Sequence, residues 1–303
     1  MEPHNLRFGG GVATTDVHVL LALILVLIVA FIVFLPRRLA IAPVLGSMIL
    51  VPLDQVVVLG GLHFSLMRIA IVVALARWFR PGGGGPGNPP LKFNTIDVLF
   101  AAFALAHMIA FSFTWMTGSA VVAAGGTMLD TLGGYLVFRS LIRTQNDVRH
   151  TIKVLGVISV LLAICMLNEQ LTHRNIFYLG ARDHGLVAQR EGKVRSQGPF
   201  EVYLTAGNFG ATLLPLFVWL WKKGRPKVLV SVSIAAATIM LITSNSSTPD
   251  LSGLAAVGAL CLWPLRDRMY LFRRGLVVIL VGLQLAMNAP VWALIGRVDL
   301  TGS

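Results

Sequence analysis

Long apolar runs, separated by short polar segments, follow one another along most of the chain. Each run is about 15 to 22 residues long, close to the length of about 20 residues at which an α-helix crosses a bilayer. The runs cover residues 18–35, 39–53, 57–76, 95–115, 120–139, 152–170, 200–221, 227–243, 251–265 and 272–290. The pattern predicts an all-α fold, a polytopic integral membrane helical bundle of about ten transmembrane helices.

The chain divides at a segment rich in glycine and proline. The sequence PGGGGPGNPP, residues 81–90, cannot hold a helix and needs no packing partner, so an inner linker is predicted over residues 81–94. The linker separates an N-terminal helical group of three spans, residues 1–80, from a main bundle of seven spans, residues 95–303. Within the main bundle, residues 171–199 form one long polar outer loop between two apolar runs.

The composition is typical of a membrane protein and argues against a soluble domain, a nucleic-acid-binding protein and a cofactor-dependent protein. Hydrophobic residues make up 56% of the chain and charged residues 13%, with a mean hydropathy of +0.78, whereas soluble domains hold roughly 45–50% apolar residues. The net charge of +12 has a topological explanation, because Lys and Arg accumulate in cytoplasmic loops, and no nucleic-acid partner is expected. The sequence lacks metal-binding, nucleotide-binding and redox motifs, so no metal or other cofactor is predicted.

The distribution of basic residues predicts the orientation of the bundle. With the N-terminus outside, most of the 25 Lys and Arg residues fall at inner loops or inner helix ends, as the positive-inside rule requires. The polar loop 171–199 is the one outer loop that breaks the rule. Its basic residues are Arg174, Arg182, Arg190, Lys193 and Arg195. The stretch that holds the last four contains only two acidic residues, Asp183 and Glu191. The remaining positive charge indicates a site for a small anionic group.

Ionisable residues inside or beside the apolar runs are the other candidates. Arg68 lies about two turns into the third run, where an ionised side chain is costly unless it is paired or reaches water. It is either a structural arginine paired with Asp130 or Asp54, or a cation at the floor of an outward cavity. Asp130 is expected to be a structural partner rather than a catalytic acid. Glu169 and Glu201 bracket the polar loop, and either could orient an arginine.

Several stretches, taken in order, resemble the bacterial O-antigen ligase and polymerase family of membrane glycan transferases. The resembling segments are VPLDQVVVLGGLHFSLMRIAIVVALARW, DTLGGYLVFRSLIRT, RSQGPFEVYLTAGNFGATLLPLF, SNSSTPDLSGLAAVGAL and APVWALIGRVDLTGS. The resemblance implies a GT-C-like helical fold in the bacterial inner membrane, with the active face toward the periplasm. It also implies a polyprenyl-pyrophosphate-linked glycan donor and a saccharide acceptor for cell-surface polysaccharide.

The resemblance also implies roles for individual residues. In that family, an outer arginine before a Gly-Pro-Phe-like helix entry engages the lipid pyrophosphate, which here falls on Arg195 with Gly198 and Phe200 as companions. We expect further donor contacts from Arg190 and Arg68, with support from Glu201 and Asp130. These roles need no metal.

The chain also departs from the family pattern. The family's second outer arginine is missing from the turn SSTPDLSG. The family's catalytic histidine is expected beyond Ser303, so this chain is expected to be a C-terminally truncated enzyme or to need another chain.

Two other functions remain open at the sequence level. A transporter or flippase of a lipid-linked anion would also use buried charge, but it should show internal repeat symmetry and cationic groups accessible from both faces. An inactive membrane scaffold is the second alternative.

The predicted topology can be tested with reporter fusions. We expect the N-terminus and Ser303 to lie outside, a fusion after Gly192 to report the periplasm, and a fusion after Lys223 to report the cytoplasm. Each position is fused to alkaline phosphatase, which reports the periplasm, and separately to a reporter that is active in the cytoplasm, and the activities of the fusions check this. If both fusions report the same side of the membrane, the predicted topology and the predicted outward-facing site are both wrong.

Overall fold

The computed structural model describes the chain over residues 17–51, 56–59, 62–79, 93–177, 187–190, 192–223 and 227–287. Over these residues the protein is all-α and about 82% helical. It divides into two compact units, residues 1–155 and residues 156–303, which are described separately. Most of the predicted linker, residues 81–92, lies outside the described residues, as do the two chain ends at residues 1–16 and 288–303.

The first unit holds the helices α1 to α6, one strand pair and the start of α7. Its elements are α1 (Val19–Phe34), α2 (Arg37–Ile49), β1 (Val56–Leu59), β2 (Leu62–Ser65), α3 (Leu66–Phe79), α4 (Thr95–Trp115), α5 (Gly118–Met128), a π-helical turn (Leu129–Gly133), α6 (Gly134–Leu141) and α7 (Gln145–Thr172), which continues into the second unit. The strands pair antiparallel, with Val56 opposite Ser65 and Val58 opposite His63.

The second unit contains the rest of α7, a short hairpin and four further helices. Its remaining elements are β3 (Gln189–Arg190), β4 (Lys193–Val194), α8 (Tyr203–Lys223), α9 (Lys227–Thr243), α10 (Ser247–Leu262), a 3₁₀ segment (Trp263–Arg268) and α11 (Met269–Ala286). The hairpin pairs Gln189 with Val194 and Arg190 with Lys193. Helix α8 packs against α9 and α10.

Five helices among the described residues are long and apolar enough to cross a membrane. They are Thr95–Trp115, Gly118–Leu141, Gln145–Thr172, Tyr203–Lys222 and Ser247–Ala286. The shorter apolar helices α1 and α9 also coincide closely with predicted spans. These helices fit a helical membrane protein, and the number of about ten spans stays a prediction.

Three predicted spans take a different form. The third, residues 57–76, begins as a β-hairpin and becomes helical only at Leu66. Its start is rich in β-branched valines and is followed by Gly60 and Gly61, a pattern that favours a hairpin over a helix. The spans 251–265 and 272–290 belong instead to one helical stretch of 40 residues, Ser247–Ala286. A 3₁₀ segment, Trp263–Arg268, joins its two parts, which the sequence pattern had separated into two spans.

The apolar core of the first unit lies between α1, α2, α3 and α6. Ile32, Val44, Leu66, Ile71 and Val137 are buried in one cluster. Many other large apolar side chains on the same helices are exposed. Because lipid is as apolar as these side chains, close packing and polar contacts hold such helices together more than the hydrophobic effect does.

Helix α4 begins with a capping box whose carboxylate has a second use. The Asn94 side chain accepts a hydrogen bond from the backbone N–H of Asp97 at 3.0 Å, and the Asp97 carboxylate accepts from the backbone N–H of Asn94 at 2.7 Å. Asp97 is buried and also forms an ion pair with Arg139, while Tyr135 donates its hydroxyl to the same carboxylate. The Asp97 side chain therefore caps the N-terminal end of α4 and also connects this helix to α6.

In the second unit, glycines let α8 approach its neighbours closely. A Cβ atom at Gly210 would lie 2.6 Å from the carbonyl oxygen of Ala237 on α9, and one at Gly207 would lie 2.7 Å from the Pro249 side chain. Since backbone atoms cannot move aside as a flexible side chain can, Gly210 fixes the crossing of α8 and α9.

This crossing should not tolerate an added methyl group. We expect Gly210→Ala to lower the free energy of unfolding by about 1–3 kcal/mol through overpacking. Gly258→Ala, on α10 with open space around the glycine, is the matched control and should be neutral or stabilising, since alanine favours a helix. Thermal unfolding of the detergent-purified variants checks this. Equal midpoints for the two variants would show that the close approach is not a constraint.

Candidate functional site

Arg68, at the start of α3, forms an ion pair with Asp130 in the π-helical turn. Arg68 Nε lies 2.9 Å and 3.1 Å from the two carboxylate oxygens, and Nη2 lies 2.9 Å from Oδ2. Nη1 donates to the backbone carbonyl of His63 in β2 at 3.1 Å. The arginine therefore joins the hairpin and α3 to the helix that carries Asp130, and the predicted pairing of these two residues is confirmed.

Two backbone features allow this contact. The guanidinium group lies against Gly126, where a Cβ atom would be 2.7 Å from Arg68 Cζ. Asp130 belongs to the π-helical turn between α5 and α6, and such a turn adds a residue to the helix and so changes the direction of its side chains. The paired charge favours the structural interpretation of Arg68 over a free cation, and its contact with a pyrophosphate stays a prediction.

The second unit contains the part of the polar loop 171–199 that the structure describes, residues 171–177, 187–190 and 192–199. Arg182, Asp183 and Glu191 lie outside the described residues. Arg190 is exposed in the hairpin, opposite Lys193, with Gly192 at a φ of +75° in the turn. The hairpin leads into the segment RSQGPF, residues 195–200, which the sequence singled out.

A buried carboxylate holds the middle of this segment. Glu169, near the end of α7, is only 1% exposed and accepts hydrogen bonds from the backbone N–H groups of Gln197 at 3.0 Å and Gly198 at 2.9 Å. Gly198 has a φ of +58°, a conformation that glycine adopts without strain. Asn175 Nδ2 donates to the Gly198 carbonyl at 2.7 Å. The turn at Gly198 is thus fixed on both of its backbone polar groups.

The start of the segment is fixed by α7 and by the turn between α9 and α10. Gln170 Nε2 donates to the carbonyl oxygens of Val194 at 2.9 Å and Thr243 at 2.7 Å, and Asn245 Nδ2 donates to Val194 at 2.6 Å. The backbone N–H of Ser196 donates to the Thr243 carbonyl at 3.0 Å. Polar side chains therefore satisfy the backbone of an irregular segment that would otherwise be buried without partners.

Arg195 lies within this fixed segment and is itself 8% exposed. Its Nη1 donates to the Tyr203 hydroxyl at 2.7 Å, and its Cζ lies 4.7 Å from the centre of the Tyr203 ring. Among the described residues no carboxylate lies within ion-pair distance of this guanidinium, and its buried Nε has no hydrogen-bond partner. A buried cation with donors to spare can bind an anion, and an arginine suits phosphate oxygens in particular.

The carboxylates that bracket the loop differ from one another in the structure. Glu201 is exposed and makes no ion pair with any described residue, so its supporting role stays a prediction. Glu169 instead supports the arginine segment, through backbone N–H groups rather than through an arginine. In the described part of the chain, no three His, Cys, Asp or Glu side chains come together as a metal site would require.

Three residues of importance were not singled out from the sequence. Asp97 and Asp147 each follow a capping residue by three positions, in NTID and TQND ahead of apolar runs, and this spacing is a known signal for a helix start. Tyr203 carried no such signal. Its contact with Arg195 depends on how the turn at Gly198 brings the two side chains together.

The Glu169 contacts predict a strong and specific effect on stability. We expect Glu169→Ala to destabilise the protein, since each backbone N–H left without an acceptor costs about 1–3 kcal/mol. Glu201→Gln is the matched control and should change stability by less than about 0.5 kcal/mol. Thermal midpoints and limited proteolysis around residues 192–200 measure both. Unchanged protection of this segment in Glu169→Ala would contradict the proposed support.

Comparisons with known proteins identify no family. No protein-family model matches the chain, and neither a curated protein nor a solved structure matches it.

Proposed function

We propose that the chain is a membrane glycan transferase of the O-antigen ligase and polymerase type, in which Arg195 binds the pyrophosphate of a polyprenyl-linked donor. The observation that carries the proposal is the buried Arg195 guanidinium, which has no carboxylate partner among the described residues. Burying a charge without a partner is strongly unfavourable. A bound anion would remove this cost.

The surrounding contacts hold Arg195 in a fixed position before any ligand binds. Glu169, Gln170 and Asn175 hold the backbone on either side of Arg195, and Tyr203 holds its side chain. A donor group fixed before the ligand arrives loses little entropy on binding. In the described structure, Arg195 is the residue best prepared to meet phosphate oxygens.

The proposed reaction transfers a glycan to a saccharide acceptor on the periplasmic face of the bacterial inner membrane. The bond from the anomeric carbon to the pyrophosphate oxygen breaks, a bond to the acceptor hydroxyl oxygen forms, and the hydroxyl proton passes to a base. Arg195 would stabilise the negative charge on the departing pyrophosphate without a metal. In the family that the chain resembles, a histidine serves as this base.

Binding of polyprenyl pyrophosphate tests the role of Arg195 directly. We expect Arg195→Ala to raise the Kd by about 10- to 100-fold, the loss of charge-assisted hydrogen bonds worth about 1.5–3 kcal/mol. Arg195→Lys should recover part of the affinity, because lysine keeps the charge but not the paired geometry. Kd values come from titrations of the nanodisc-embedded protein, with thermal midpoints recorded for each variant.

The control variant is Arg174→Ala, which removes an exposed arginine from the same outer loop and should leave the Kd unchanged. Wild-type affinity in a folded Arg195→Ala variant would defeat the proposal. Transfer of labelled glycan is then assayed in membranes of cells that express the native reading frame. Donor binding with movement of the lipid across the membrane but no transfer would indicate the flippase alternative, and no binding at all would indicate the scaffold.

A further inference from the structure

Asp147 joins two arginines at the boundary of an apolar helix. Its side chain is 0% exposed and lies 3.1 Å from Arg37 Nη2 and 3.1 Å from Arg38 Nε. The same carboxylate completes the capping box of α7, since it accepts from the backbone N–H of Thr144 at 3.0 Å and of Arg143 at 3.1 Å. The backbone N–H of Asp147 donates to Thr144 Oγ1 at 3.2 Å. One carboxylate thus serves two helix ends, those of α2 and α7.

This cluster carries more positive than negative charge. Arg37 and Arg38 share a single carboxylate, and the Arg37 charge also lies close to Arg143. Burial, and then repulsion by Arg37, lower the pKa of the Arg143 guanidinium, while Asp147 acts in the opposite direction. Like charges held together in this way favour the binding of an anion.

The exposed part of the cluster borders an apolar surface. The Arg38 side chain is 60% exposed and, among the described residues, makes the ion pair to Asp147 but no hydrogen bond. Phe34 at the end of α1 is 84% exposed, and Leu39 beside Arg38 is 46% exposed. Hydrogen-bond donors next to exposed apolar side chains match a phosphate group attached to acyl chains better than a free anion.

We propose that Arg37, Arg38 and Asp147 form a binding site for the headgroup phosphate of an anionic phospholipid. The site lies at the boundary that the positive-inside rule assigns to the cytoplasm, where basic clusters between helices bind acidic lipid headgroups. Asp147 holds Arg37 and Arg38 in place, and the free guanidinium donors of Arg38 bind the phosphate. This site is independent of Arg195 and of the proposed transferase activity.

The amount of phospholipid that stays bound to the purified protein tests this proposed site. The protein is purified in mild detergent, incubated with equal amounts of phosphatidylglycerol and phosphatidylcholine of the same acyl chains, and analysed by native mass spectrometry. We expect preferential retention of phosphatidylglycerol, a roughly five-fold loss of this preference in Arg38→Gln, corresponding to about 1 kcal/mol for one interfacial arginine, and partial recovery in Arg38→Lys. The matched control, Arg273→Gln, removes an exposed arginine from the start of α11 and should retain the wild-type preference.

The other outcomes overturn the proposal. An unchanged preference in Arg38→Gln, or an equal loss in Arg273→Gln, would show that the lipid is attracted by general surface charge. Removal of bound phosphatidylglycerol by millimolar inorganic phosphate would show a phosphate site that does not select lipid. Thermal midpoints accompany each variant, and because Arg38 is largely exposed, Arg38→Gln is expected to stay folded.

Discussion

The structure depends on one constraint, which is that a charge removed from water needs a partner in its new surroundings. Asp97 pairs with Arg139, Asp130 with Arg68, and Asp147 with two arginines. In each case the carboxylate lies on a different element from its arginine. The ion pairs therefore join elements where apolar packing alone selects poorly between arrangements, since lipid competes equally well for apolar surfaces.

Arg195 meets the same constraint differently. Its neighbours satisfy the backbone polar groups of the segment, and the Tyr203 ring and hydroxyl contact its guanidinium group. Among the described residues, however, no carboxylate forms an ion pair with it. The nearby carboxylate of Glu169 is committed to two backbone N–H groups. A supporting shell that orders a cation without neutralising it is the arrangement expected around a binding group rather than around a structural one.

The sequence predicted those features that depend on local pattern. Apolar runs gave the positions of most helices, and the charge that topology does not explain pointed to the loop with Arg195. The sequence also offered Asp130 and Asp54 as partners of Arg68, because a charge within an apolar run needs a partner, and the structure shows the pair with Asp130. Run length alone did not distinguish a hairpin from a helix at residues 57–65, since short apolar segments suit both. The sequence marked Glu169 as a residue that could orient an arginine, but not its contacts with backbone N–H groups. These contacts, and that of Tyr203 with Arg195, depend on the turn at Gly198, a tertiary feature.

The capping-box aspartates show how local and long-range signals combine. Asp97 and Asp147 were readable as helix starts, and a helix start needs no partner beyond its own backbone. Once a helix end is buried among apolar segments, the same carboxylate loses its water and attracts a cation from another helix, as Arg139 and Arg37 show. An acidic capping residue ahead of an apolar run in a membrane protein therefore indicates both where a helix begins and where an arginine from elsewhere will dock. At Asp147 two arginines dock on one carboxylate, and this surplus converts a structural contact into a site for an external anion.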